Sequence, residues 1–299
     1  MLKFLAWITL AAVLGSPSAA AQSAGGATGL AFLPSDVSFV VRLDAAALAA
    51  SPMLPRLLAQ PQASNALARA LARPATLRRM REVYVGFPSA FTPETTELPV
   101  VVLGSFSADD IVDDLASAPG VEVSREGGRA VLVADDALGT SYAAPLAEGV
   151  LAVGDRASVL RMLEGGSGER LAEVRGELGP PNPSRHIVGA GKVPVALRGW
   201  LQAEGGALAA PFATIDRVTF EGTLDEAVRL RATLHPTTAE GRQAIEQALG
   251  AARMFGPSRF ADDPELLSAV QSLRFSSGPG RVDLSATVPR SLLLRFLEP

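Results

Sequence analysis

Residues 217–234 read RVTFEGTLDEAVRLRATL, and their pattern decides the fold class. Val218 and Phe220 alternate with Arg217, Thr219 and Glu221, and Val228 and Leu230 alternate with Arg229 and Arg231. A strand turns successive side chains to opposite faces, so a period of two marks a half-buried strand rather than a helix. Two such runs a couple of residues apart predict an antiparallel hairpin, 217–224 with 227–234.

The same signature recurs on either side. Segments 121–124 and 130–134 flank Gly127-Gly128, 142–146 and 150–153 flank Glu148-Gly149, and 273–275 and 282–287 flank Gly278-Pro279-Gly280. Glycines placed between alternating runs read as hairpin turns. Further strands are predicted at 37–43, 82–87, 98–106 and 186–189. Helices are predicted between them. One, over 107–118, opens on the capping pattern Ser107-x-x-Asp110, and others are expected at 157–164, 170–178, 195–202, 238–255, 264–272 and 290–297. Hairpins interrupted by helices predict an α+β fold, with antiparallel sheets and helices packed on one face.

Two stretches suggest that the chain repeats itself. Val159-Leu160-Arg161-Met162-Leu163-Glu164 resembles Leu293-Leu294-Arg295-Phe296-Leu297-Glu298, and each follows a glycine-containing hairpin. Glu82-Val83-Tyr84-Val85 precedes the first at almost the separation by which Arg217-Val218-Thr219-Phe220 precedes the second. The expected division is a first α+β module over 31–164, a linker with one short helix over 165–185, and a related module over 186–299. Within these, Leu33-Pro34-Ser35-Asp36 entering a strand and Val150-Leu151-Ala152-Val153-Gly154-Asp155 entering a helix resemble a loose group of exported bacterial proteins of unknown function. That resemblance implies no catalytic residue.

The N-terminus predicts export. Lys3 precedes the apolar run FLAWITLAAVL at 4–14, which Gly15-Ser16-Pro17 breaks before Ala19-Ala20-Ala21. A basic start, a short apolar core and small residues ahead of a cleavage point make a secretory signal over 1–21, cleaved before Gln22. Eleven apolar residues reach about half-way across a ~30 Å hydrocarbon core, too short for an anchor. Residues 22–30 read as a disordered lead-in. A periplasmic or secreted location follows. With no cysteine, the fold gains nothing from disulfides there and rests on its core.

Composition narrows the chemistry. The net charge is −4 with 48% hydrophobic and 19% charged residues, an ordinary globular balance that argues against a nucleic-acid partner. There are two histidines, His186 and His235, and no His-Glu-x-x-His, so a zinc site lacks its usual ligands. No Gly-x-Ser-x-Gly elbow surrounds any serine, and no glycine cluster carries a phosphate-binding signature, so no cofactor is expected. Asp109-Asp110-Ile111-Val112-Asp113-Asp114 sets carboxylates one turn apart, as a divalent cation would need. Acids in a first helical turn are also favoured by the helix dipole alone. Neither catalytic nor metal residues are assigned.

One segment is unusual. From Ala45 to Arg81 there is no acidic residue, while Arg56, Arg69, Arg73, Arg78, Arg79 and Arg81 all occur. Arg69, Arg73, Arg78 and Arg79 therefore form a candidate contact for an anionic lipid surface. The competing expectation is that these arginines pair with the acidic excess elsewhere in the chain, the Asp109–Asp114 helix being one candidate. The function expected is a soluble, non-enzymatic interaction or scaffold protein of the cell envelope, with an unidentified envelope or secreted protein partner. The alternatives are a carrier of an apolar ligand and an enzyme of unrecognised type.

Overall fold

The computed structural model describes residues 29–45, 71, 73, 76, 78–95, 97–136, 139–166, 171–180, 182, 185–204, 206–224, 227–289 and 291–292. The predicted signal, lead-in residues 22–28, Arg56 and Arg69 lie outside them.

The elements alternate as the sequence predicts. β1 (Val37–Asp44), β2 (Met80–Pro88) and β3 (Val100–Gly104) lead into α1 (Ala108–Ala116). Two hairpins follow, β4 (Val121–Glu126) with β5 (Arg129–Asp136) and β6 (Gly139–Ala147) with β7 (Val150–Gly154). Then come α2 (Arg156–Glu164), α3 (Ala172–Leu178), β8 (Ile187–Lys192), α4 (Val195–Glu204) and the one-turn α5 (Gly206–Ala209). β9 (Ile215–Leu224) and β10 (Ala227–Pro236) form the hairpin that decided the class. After α6 (Ala239–Arg259) and α7 (Pro264–Ser272), β11 (Arg274–Gly278) and β12 (Arg281–Pro289) close the described chain.

Local signals start these helices. Ser107 accepts a hydrogen bond from the Asp110 N–H, Asp155 from Ser158, Thr238 from Gly241 and Asp263 from Leu266. Each satisfies an amide that the first helical turn leaves without a partner.

All twelve strands join one antiparallel sheet in the order β11-β12-β10-β9-β8-β1-β2-β3-β7-β6-β5-β4. Outward from the centre, the order runs β1, β2, β3, β7, β6, β5, β4 on one side and β8, β9, β10, β12, β11 on the other. On each side three consecutive strands are followed by the last strand of that half, β7 or β12. The two sides meet where β1 pairs antiparallel with β8.

The α+β class holds, and the expectation that helices cover one face is corrected for the first half. On one side of the sheet Phe39, Val41, Val83, Val85 and Val102 pack with Ile111 and Leu115 of α1 and Leu197 of α4. On the other, Val40, Tyr84, Val101 and Leu103 pack with Val159 and Met162 of α2 and Val174 and Leu178 of α3. Strands buried on both faces lose clean alternation, which is why VVVLG of β3 is buried throughout. The short helix expected within 165–185 is α3 and belongs to this core. Residues 29 and 30, read as part of the lead-in, are structured. Gly29–Phe32 is a 3-10 turn with Leu30 buried, because Leu30 and Leu33 close this second layer.

Among the described residues, the second half has helices on one side. Ile215, Leu234 and Val282 pack with Ile245 and Leu249 of α6. The opposite face of β9–β12 carries no helix packed across it among the described residues. No helix among them is long and apolar enough to cross a membrane.

Candidate functional site

The uncovered face follows from strand register. One row of partners across the sheet runs Arg274, Ser285, Arg231, Glu221, Val188, Arg42 and Tyr84. The next runs Ser276, Asp283, Thr233, Thr219, Ala190 and Val40. Directly paired residues share a face, so polarity changes along each row. It is polar or charged from β11 to β9 and mostly apolar from β8 onwards, where α2 and α3 sit and Arg42 is the exception. The change leaves a groove of about 520 Å³ between the end of α3 and the polar strands, with Glu177 and Arg185 at its rim.

The charges in the groove are partly matched. Thr233 Oγ1 donates to Asp283 Oδ1 at 2.7 Å, and Arg281 Nε lies 3.1 Å from Asp283 Oδ2. Arg217 is held by Glu177 and, at 2.5 Å, by Glu173, both on α3. Partial desolvation of Arg217 works against its charge and is outweighed by these two carboxylates, so its pKa is raised. Arg185 Nη1 reaches Glu221 at 3.4 Å, while Arg231 lies 3.9 Å from that carboxylate with its side chain 81% exposed. Arg274 Nη1 donates to the carbonyls of Gln271 and Leu273 at the end of α7. Among the described residues Arg274 has no carboxylate partner.

Next to the groove, beneath the end of α3, lies a buried network. Arg42, 5% exposed, donates to the carbonyls of Gly179, Leu178 and Pro180. Those carbonyls end α3, where the helix dipole is negative, so a guanidinium suits the place. Tyr84 beside it donates to Glu82 Oε2 at 2.5 Å. Burial first, and then the Glu82 charge, push the Tyr84 phenol far upward, and it stays protonated.

The residues singled out from sequence fall elsewhere. Arg79 bridges Asp114 at 2.5 Å and Asp110 at 3.2 Å, and Arg73 donates to the Asp114 carbonyl and Ser117 Oγ. Two of the four candidate surface arginines are thus engaged with the acidic helix α1, and Arg78 is exposed and also partnered. No group of three or more potential metal ligands occurs among the described residues. His186 is buried at the start of β8, and His235 is half-buried opposite Arg217. Arg231 was visible as a polar alternate in the opening hairpin. Nothing in the sequence marked Arg274, Arg185 and Glu177 as its neighbours, because α3 and β11 reach it through strand order.

No family model matches the chain, and no curated protein matches it. Among solved structures it is similar to TP0453 in crystal form I, with a TM-score of 0.53 at 12% identity. The likeness covers 91% of this chain and 97% of that one. At that identity it shows a shared fold.

Proposed function

We propose that this chain is an exported interaction protein of the bacterial envelope that binds its partner on the polar face of β9–β12. The observation that supports this is the groove itself. It is a sheet face lined largely by Arg, Glu, Asp, Ser and Thr, lying beside the central strands β1–β3, which are packed on both sides. Buried faces of sheets are apolar, and a solvated sheet face in a chain of this size is a surface available for recognition. The export signal predicted from sequence at 1–21 supports the compartment. The three consecutive strands followed by a last strand in each half support tandem modules, a reading that requires residues 82–164 and 217–298 to superpose element by element. The carrier alternative draws less support from the groove, whose lining mixes charged Arg, Glu and Asp side chains with apolar residues such as Val188 and Leu284 rather than enclosing an apolar cavity.

The test is capture from an envelope extract by cross-linking, comparing the wild-type chain with Thr233→Lys/Thr219→Lys. Both substitutions fill the groove floor without touching the apolar face. Loss of a captured protein in a variant of unchanged circular dichroism is expected. Capture that persists unchanged puts the binding surface elsewhere.

A further inference from the structure

We infer that the groove takes an acidic polypeptide segment whose carboxylate is clamped by Arg231 and Arg274 over Ser285. This rests on the polar face being the binding surface and names the chemistry it selects. Arg231 and Arg274 are the direct strand neighbours of Ser285 on either side of β12. At about 4.8 Å between strands their backbones stand roughly 10 Å apart, within reach of two extended guanidinium arms. The third cation lining the groove, Arg185, reaches Glu221, and further along the same face Arg217 is held by two carboxylates and Arg281 by Asp283. Arg231 has a 3.9 Å contact that costs little to leave, and Arg274 is held by two carbonyls at the end of α7 and, among the described residues, by no carboxylate. The surplus positive charge therefore collects over Ser285, in a protein whose net charge is −4. A guanidinium meets a carboxylate through two parallel hydrogen bonds, which gives such a clamp direction as well as charge.

The same groove disfavours a uniformly anionic occupant. Glu177, Glu221 and Asp283 border the clamp, so a plane of lipid headgroups would press negative charge against three carboxylates. A polypeptide does not. It places one acidic side chain between the arginines and turns backbone N–H donors towards the neighbouring carboxylates.

Selection from a random dodecapeptide display library on the immobilised full-length mature chain tests this. Peptides enriched in Asp or Glu are expected, with affinity falling about tenfold or more in Arg231→Gln/Arg274→Gln and falling with added salt. Arg79→Gln, on α1's side of the molecule, serves as the control and leaves affinity unchanged. Enrichment of neutral or basic peptides, or acidic peptides that bind the double variant equally well, overturns the clamp. So does binding of phosphatidylglycerol vesicles that needs Arg231 and Arg274 while no acidic peptide is selected. If Thr233→Lys/Thr219→Lys abolishes capture but Arg231→Gln/Arg274→Gln does not, the polar face stands as the binding surface and the acidic clamp fails. If neither variant affects capture, the surface itself is wrong.

Discussion

Arg42 donates through Nη1 to the carbonyl of Gly179 at 2.6 Å, tying a central strand to the end of a helix 137 residues further along the chain. Two more bonds, to Leu178 and Pro180, use its second terminal nitrogen. Replacing Arg42 with Met keeps much of the volume and leaves those carbonyls without their donor. Hydrogen bonds from a charged group contribute about 1.5–3 kcal/mol each, and losing a buried partner sits at the upper end. We expect Arg42→Met to lower unfolding free energy by about 3 kcal/mol in urea titrations. Arg42→Lys should recover only part of this, because one ammonium cannot span three carbonyls. A loss below about 1 kcal/mol for Arg42→Met would show that the contact does not hold α3.

Gly189 predicts a steric effect. A Cβ there would lie 2.2 Å from Phe220 Cε1, and the Phe220 ring is itself stacked on Phe39 with centroids 6.0 Å apart. A Cβ at that distance forces the ring off its stack on Phe39, and overpacking of this kind costs about 1–3 kcal/mol. Gly189→Ala should be destabilised by that amount, and Gly189→Ala/Phe220→Leu should regain most of it. Equal stability of Gly189→Ala and wild type in thermal melts would refute the contact.

Glu97 predicts a pH effect. Its half-buried carboxyl is raised above the ordinary value of 4.5, by desolvation first and by the Asp155 charge second. The folded state therefore holds this proton more tightly than the unfolded chain does. The stability this contributes is fully present below about pH 4.5 and is lost as the pH rises through the raised native value. Glu97→Gln removes the ionisation, so its melting temperature should exceed the wild type's at pH 7, with the gap closing towards pH 4. A gap of the opposite sign at pH 7 would exclude this account.

Arg79 predicts a small effect despite good geometry. Its side chain is 28% exposed and its partners Asp110 and Asp114 are 66% and 43% exposed. Ion pairs that wet contribute under about 1 kcal/mol and weaken with salt. Arg79→Gln should therefore shift the urea midpoint slightly, and less still in 0.5 M NaCl. A loss of several kcal/mol would mean that this pair holds α1 in place.

Much of the fold was legible locally. Val218 and Phe220 against Arg217 and Thr219 declared a strand, Gly127-Gly128 a turn, and Ser107 with Asp110 a helix start. Each depends on neighbours within a few residues, whose φ/ψ limits, side-chain period and capping bonds act whatever the tertiary context. The alternation in β10 even separated Arg229 and Arg231 from Val228 and Leu230. What it could not say was which of the two faces a helix would cover. That was decided by strand order. Placing β8 beside β1 brings α3 over Val188 and Arg42 and stops it short of Arg231. Placing β12 between β10 and β11 sets Arg274 across Ser285 from Arg231. Those neighbours lie tens of residues apart in the chain, and their contact is chosen by the burial of the whole apolar layer rather than by any local preference.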